Sequence, residues 1–135
     1  MGSEELEGRN KNLIRKLYER LNNQDETLFD LLSEDFRFHT ASETLRTKEE
    51  FRAQVLGEYV AFPDFHVEIK RLTAEGNVVV AEYDWTATHE GEFLGIPASF
   101  KEVMVPFIDI FDIENGKVKL WRDMFNWPYW ERQMT

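Results

Sequence analysis

The stretch DIFDIENGKVKLWRDMF, residues 109–125, holds two runs of alternating apolar and polar side chains on either side of Glu114-Asn115-Gly116. Such a pattern predicts a β-hairpin. Taken as a three-residue loop with Gly116 left-handed, the turn is a type I turn with a G1 bulge and pairs Ile113 with Lys117. Counting back sets Asp109 opposite Trp121 and Phe107 opposite Asp123. Because side chains alternate along a strand, Phe107, Asp109, Phe111, Trp121, Asp123 and Phe125 then share one face. The other face carries Ile108, Ile110, Val118 and Leu120, an apolar strip that one domain would struggle to cover, and it predicts a homodimer.

Upstream, strands are predicted at residues 101–113, 78–88 and 65–73, separated by the loop with Gly91, Gly95 and Pro97 and by the turn at residues 74–77. Before residue 62 the period is helical. Leu13, Ile14, Leu17, Tyr18 and Leu21 form the apolar stripe of a helix over 9–22. TLFDLLSEDF, residues 27–36, gives a short second helix, and residues 36–39 a brief strand. After a polar loop, Thr47 and Glu50 have capping-box spacing ahead of a third helix with Phe51, Val55 and Tyr59 inward. Residues 1–8 are expected to be a loose N-terminal extension, and the chain to run as strands to its end. Helices first and a meander afterwards make one α+β domain over residues 1–135, with no repeat or linker.

The net charge of −10 opposes binding to phosphate backbones and anionic lipid, so neither nucleic acid nor a membrane surface is an expected partner. No apolar run approaches the length of about 20 residues needed to span a bilayer, and residues 1–10 are too polar for a signal peptide. With no cysteine there is neither disulfide nor thiolate chemistry. A cytoplasmic protein is expected. Eleven phenylalanines, four tryptophans and four tyrosines either fill the core or line a cavity for a small hydrophobic molecule, and composition does not separate the two.

FPDFHVEI at 62–69, THEGEFLGIPASFKEV at 88–103, the hairpin at 109–125 and YERLNNQD at 18–25 occur together in an order that resembles the SnoaL-like polyketide cyclases of the nuclear transport factor 2-like superfamily. Limonene epoxide hydrolases and ketosteroid isomerases are relatives. The resemblance implies a cone-shaped, cystatin-like α+β roll in which three N-terminal helices pack on a curved antiparallel sheet.

An aspartate in a strand ordinarily caps a loop or pairs with an arginine. Asp109 and Asp123 instead sit mid-strand among apolar neighbours, where an unpaired carboxylate is costly and a raised pKa is expected. Both the structural and the functional alternative stand at this point. The resemblance adds that Asp123 matches the acid/base aspartate of the cyclases and epoxide hydrolases, and Asp109 the protonated aspartate of the isomerases. It also aligns Glu82 and Asp84 with an Arg-x-Asp pair of the epoxide hydrolases, replacing their arginine with a carboxylate, and Phe38 and Thr40 with their water-holding residues. His89 and His39 match histidines frequent in the group.

The expected site therefore takes Asp123, Asp109 and His89 as catalytic groups. Glu82, Asp84, Phe107, Trp121, Phe125, Tyr18 and His39 are expected to contact the ligand. Three scattered histidines give no convergent metal set, and no glycine-rich phosphate loop occurs, so neither metal nor cofactor is expected. The leading function is cofactor-free acid/base chemistry of cyclase or isomerase type on a ring-bearing substrate, with Asp123 as base and Asp109 or His89 as donor. The alternatives are a non-catalytic binding protein with an amine-bearing ligand, a hydrolase like the epoxide hydrolases, or an interaction protein with a vestigial pocket.

Overall fold

The computed structural model describes residues 2–40 and 44–135, so that residues 41–43 of the predicted polar loop lie outside the described residues. The chain runs α1 (Ser3–Asn22), a short 3-10 helix (Glu26–Leu31), β1 (Leu32–His39), β2 (Leu45–Thr47), α2 (Lys48–Ala61), β3 (His66–Glu75), β4 (Val78–Thr88), β5 (Glu102–Glu114), β6 (Lys117–Phe125) and α3 (Trp127–Met134). One six-stranded sheet, in the order β2-β1-β6-β5-β4-β3, curves around the helices without closing. This is an α+β fold.

Helix α1 starts at Ser3 rather than residue 9, and residues 3–8 form its first turns instead of a loose extension. Glu4 and Glu5 suit the positive end of the helix dipole. The Glu7 carboxylate accepts from Gly76 N–H at 2.8 Å, and the buried Asn10 donates to Gly76 O at 3.1 Å, so the β3–β4 turn holds this end of the helix. Ile14, Leu17, Tyr18 and Leu21 enter the core. The capping box of α2 forms as its spacing predicts, with Thr47 accepting from Glu50 N–H and Glu50 from Thr47 N–H.

The sheet is mixed, not antiparallel. β1 lies parallel to β6, with Phe38 opposite Trp121 and His39 opposite Arg122, while the remaining strand pairs are antiparallel. The first strand and the last run the same way because most of the fold intervenes as a crossover between them. The second predicted helix shrinks to the 3-10 turn that buries Leu28 and Phe29, and β1 starts at Leu32. At the other end the chain finishes in a helix rather than a strand: Asn126 caps α3 through Tyr129 N–H at 3.0 Å, and Pro128 sits in its first turn. Trp130 and Met134 of α3 are buried, so the aromatic terminus covers the end of the core.

The hairpin at residues 109–125 differs in register from the sequence reading. Both Asn115 (φ 53°) and Gly116 (φ 74°) are left-handed, so the loop has two residues, and Glu114 pairs with Lys117. A bulge follows. The register changes between Ile113↔Val118 and Asp112↔Leu120, leaving Lys119 as the extra residue, and the ladder continues as Phe111↔Trp121, Asp109↔Asp123 and Phe107↔Phe125. Each step shifts the pairing by one, so the two together restore the parity that one step would have reversed. Val118 thereby joins the core, not the outer strip; Ile108 stays exposed, with Ile110 and Leu120 half-buried.

Candidate active site

Asp109 has no exposed surface. It faces inward from the middle of β5, where an unpaired carboxylate would be expelled from so dry a place. Three side chains from three elements converge on its Oδ2: the Tyr18 hydroxyl of α1 donates at 2.6 Å, the Tyr83 hydroxyl of β4 at 2.8 Å, and the Trp121 indole N–H of β6 at 2.9 Å. Burial, then the charge on Asp109, pushes both phenols far above their ordinary range, so they remain donors. Oδ1 is equally enclosed and receives no N–H or hydroxyl. What faces Asp109 across the ladder is Asp123, and the two carboxyls act on each other's ionisation.

The surroundings of each carboxyl decide which of the two holds a proton more firmly. Burial raises both carboxyls. For Asp109 this is countered by the hydrogen bonds from Asp123, Tyr18, Trp121 and Tyr83. For Asp123 the charge on Asp109 and the hydrogen bond to it raise the value further, well beyond the ordinary carboxylate range, and the charge of Glu58 adds to them. Asp109 is the buried anion; Asp123 carries the proton. Asp109 is sealed, whereas Asp123 is only half-buried and borders the accessible side of the interior.

Glu58 joins them from α2. It lies three residues from Val55 and seven from Phe51, on the helix face turned to the sheet. Burial lifts its carboxyl to about 7; the charge of Asp109 adds to this, while a hydrogen bond from Gln54 and the charge of Arg46 oppose it. Gln54 donates to Glu58 Oε1 at 3.2 Å and accepts from Arg46 of β2.

The inner wall also contains Phe107 and Trp121, both buried, with Phe107 stacked on Tyr83 at 5.2 Å. Of the inner-face residues of β5 and β6, Phe107, Asp109, Phe111 and Trp121 are buried by packing, whereas Asp123 and Phe125 are half-buried. Tyr18 is buried and serves Asp109 rather than an open pocket.

Four expected site residues lie elsewhere. Glu82 and Asp84 point out of the opposite face of β4, where Glu82 pairs with Arg71 and Asp84 lies 3.6 Å from Lys70. The apolar residues Val79, Ala81, Tyr83 and Trp85 alternate with them, and that alternation was the available signal both for their outward direction and for Tyr83, which sequence reasoning missed. His39 lies on the outer side of β1, alternate to the buried Phe38. His89 is fully buried but follows the far end of β4, eight residues from the Ala81 that pairs with Asp109. That is roughly 25 Å of extended chain. Its Nδ1 accepts from Ser99 N–H at 3.2 Å and its ring packs on Phe62, so it secures the loop before β5. Glu58 was also missed; its only signal was helical spacing from Phe51 and Val55. Among the described residues no three His, Cys, Asp or Glu side chains converge as a metal site, and no helix is long and apolar enough to cross a membrane.

A family profile described as SnoaL-like polyketide cyclase matches residues 11–134, nearly the whole chain. The protein belongs to the SnoaL-like polyketide cyclase family. No curated protein matches it. Among solved structures it is similar to TsrD from Streptomyces laurentii, at 26% identity and a TM-score of 0.84 over 94% of this chain and 95% of that one. A SnoaL-like protein from Jannaschia sp. CCS1 superposes with a TM-score of 0.89 at 22% identity, covering 96% and 93% of the two chains. An LEH-like epoxide hydrolase from M. tuberculosis shares the fold at 18% identity and a TM-score of 0.76, covering 94% and 90%. Together these place the SnoaL-like chain in the nuclear transport factor 2-like superfamily. Against the epoxide hydrolase pattern, this member has neither an arginine nor a third carboxylate inward on β4: residues 82 and 84 face out, and Tyr83 takes the inner position.

Proposed function

We propose that this SnoaL-like protein is a cofactor-independent enzyme performing acid/base chemistry, of cyclase or isomerase type, on a small hydrophobic molecule bearing a carbonyl group. The observation that supports this most is the Asp109–Asp123 pair, in which one oxygen of Asp109 takes three buried donors while burial and the neighbouring carboxylate favour a proton on the half-buried Asp123. A structural aspartate needs one good partner; this one has three and also keeps a neighbour protonated. Such a pair offers a neutral carboxylic acid at ordinary pH, able to donate to a carbonyl oxygen as negative charge develops on it. The roles suggested by the sequence are exchanged, with Asp123 the donor and Asp109 the anion that holds the proton in place. An amine binder would need its carboxylates ionised, which the protonated Asp123 disfavours.

Asp123→Asn tests the reading. Asn keeps the size and a hydrogen-bonding head but has no acidic proton, so turnover should fall by about 100-fold or more with the fold and ligand affinity retained. Unchanged turnover in well-folded variant would exclude the mechanism and favour a binding protein. A structural pairing of Asp123 with Arg122 is not the explanation, because Arg122 reaches Asp112 on the outer face at 3.8 Å.

The assembly we propose is a homodimer through the outer face of β5 and β6, where Ile108 and Met124 are exposed beside Ile110 and Leu120. Sedimentation at micromolar concentration should give twice the chain mass; monomer alone would refute it.

A further inference from the structure

The proton-bearing Asp123 leaves the acid/base reading without a base. A group that already holds a proton beside a buried anion cannot accept another, and Asp109 is sealed behind Tyr18, Tyr83 and Trp121. We propose that Glu58 is the catalytic base of this site, taking a proton from a carbon next to a carbonyl whose oxygen is held by Asp123 from the opposite wall.

Three structural observations carry this. Glu58 stands on the sheet-facing side of α2 with Phe51 and Val55; α2 packs on β1 and β2, and Phe51 on that same face meets Trp121 of β6 with ring centroids 5.0 Å apart. One of its oxygens is held: Arg46 donates to the Gln54 carbonyl oxygen, so the Gln54 amide presents its N–H to Glu58 Oε1. Glu58 is also half-buried, like Asp123 and unlike Asp109, so the two accessible carboxyls belong to different walls. Its carboxyl, lifted to about 7, is partly ionised at neutral pH, which suits a base. The groups setting that value are Gln54 on α2 itself, Arg46 on β2 and Asp109 on β5; Glu58 in turn raises Tyr59 and Asp123.

The step balances without a co-reactant. The C–H bond breaks, its proton goes to Glu58, and its electron pair forms the C=C of an enolate. The carbonyl oxygen gains the charge that Glu58 loses and takes the hydrogen bond that Asp123 formerly gave to Asp109, which stays anionic among its three donors. Return of the proton to another carbon completes an isomerisation; alternatively the enolate carbon attacks a second carbonyl, whose C=O π bond breaks as the ring C–C bond forms, and the resulting alkoxide takes the proton back from Glu58. The substrate class is therefore a hydrophobic carbon acid: a ketone or ester with an acidic adjacent C–H.

This assignment rests on the acid/base reading of the Asp109–Asp123 pair, and one assay separates them. 2-Tetralone, a ring-bearing ketone with exchangeable C1 protons, is incubated with the whole protein in D2O, and loss of the C1 signal is followed by NMR from about pH 5 to 9. Wild type should accelerate exchange with a rise through about pH 7. Glu58→Gln should lower that rate by about 100-fold and abolish the rise, Glu58→Asp should retain the rise at a lower rate, and Asp123→Asn should lower the rate while keeping it. Exchange by folded Glu58→Gln within about threefold of wild type, with Asp123→Asn inactive, would overturn the role of Glu58 and leave the pair standing. No acceleration by wild type would overturn the carbon-acid chemistry itself. Thermal melts of each variant establish that it is folded.

Discussion

Asp109 is costly to bury and is stabilised by three donors whose rings are themselves packed in the core. Tyr18 and Tyr83 each give their hydroxyl to it, and Trp121 its indole N–H. Replacing Tyr83 with Phe keeps the ring stacked on Phe107 and removes only the hydroxyl. The loss of one hydrogen bond to a buried charge should destabilise the fold by about 1–3 kcal/mol in urea unfolding. It should also raise Asp109 further and shift the shared proton toward it, so any activity that depends on Asp123 as donor should fall by more than the loss of folded protein explains. Equal stability of Tyr83→Phe and wild type would mean that Asp109 is not charged. Asp109 and Asp123 were visible in the sequence because each interrupts an apolar strand face. Tyr83 was less conspicuous, since a tyrosine among Val79, Ala81 and Trp85 looks like one more core side chain until something receives its hydroxyl.

At the scale of elements, strand alternation carried further than turn geometry. The pairing of the β5–β6 hairpin was displaced by two positions, yet the six residues assigned to the inner face all lie on it, because the two-residue turn and the bulge at Lys119 each moved the ladder by one. A bulge cannot be read from a lysine between Val118 and Leu120. On β4 the resemblance aligns Glu82 and Asp84 with site residues, whereas the pleat that buries Ala81, Tyr83 and Trp85 turns both carboxylates outward. The bulge gives a direct test. Lys119→Ala loses only exposed ion pairs with Glu114 and Asp35 and should leave the urea midpoint almost unchanged. Deleting Lys119 removes the parity correction, so Trp121, 3% exposed in the native fold, must turn outward or the hairpin must slip. We expect a loss of at least about 3 kcal/mol, with the tryptophan fluorescence of the variant shifted to the red. A deletion variant as stable as Lys119→Ala would show that the bulge is dispensable.

Over the whole molecule, the order of helices and strands was legible from periodicity, while the parallel β1–β6 pairing and the terminal helix depended on long-range contacts that no local period encodes. The distribution of carboxyls has a consequence at this scale too. Asp25, Asp35, Glu50, Asp64 and Glu82 are held below their ordinary values by hydrogen bonds: to Thr27, Ser33, Thr47, Thr88 and Arg71 in turn. The stability they give is present at neutral pH and is lost as the pH falls through their native values. Glu58 and Asp123 act oppositely, since burial raises both. Their contribution is complete below the values of the unfolded chain, near 4.5 for Glu58, and declines as the pH rises, for Glu58 until about 7. The two sets bracket an optimum, so thermal unfolding should be highest between about pH 4.5 and 6 and decline toward pH 8, with the net charge of −10 adding repulsion on that side. The combined Glu58→Gln and Asp123→Asn variant should lose most of the alkaline decline and keep the acid one, because the neutral amides no longer have a proton to surrender. Melting temperatures of wild type that rise steadily from pH 5 to 8 would show that the two carboxyls are ionised in the folded protein, and would remove both the donor and the pH-gated base from the site.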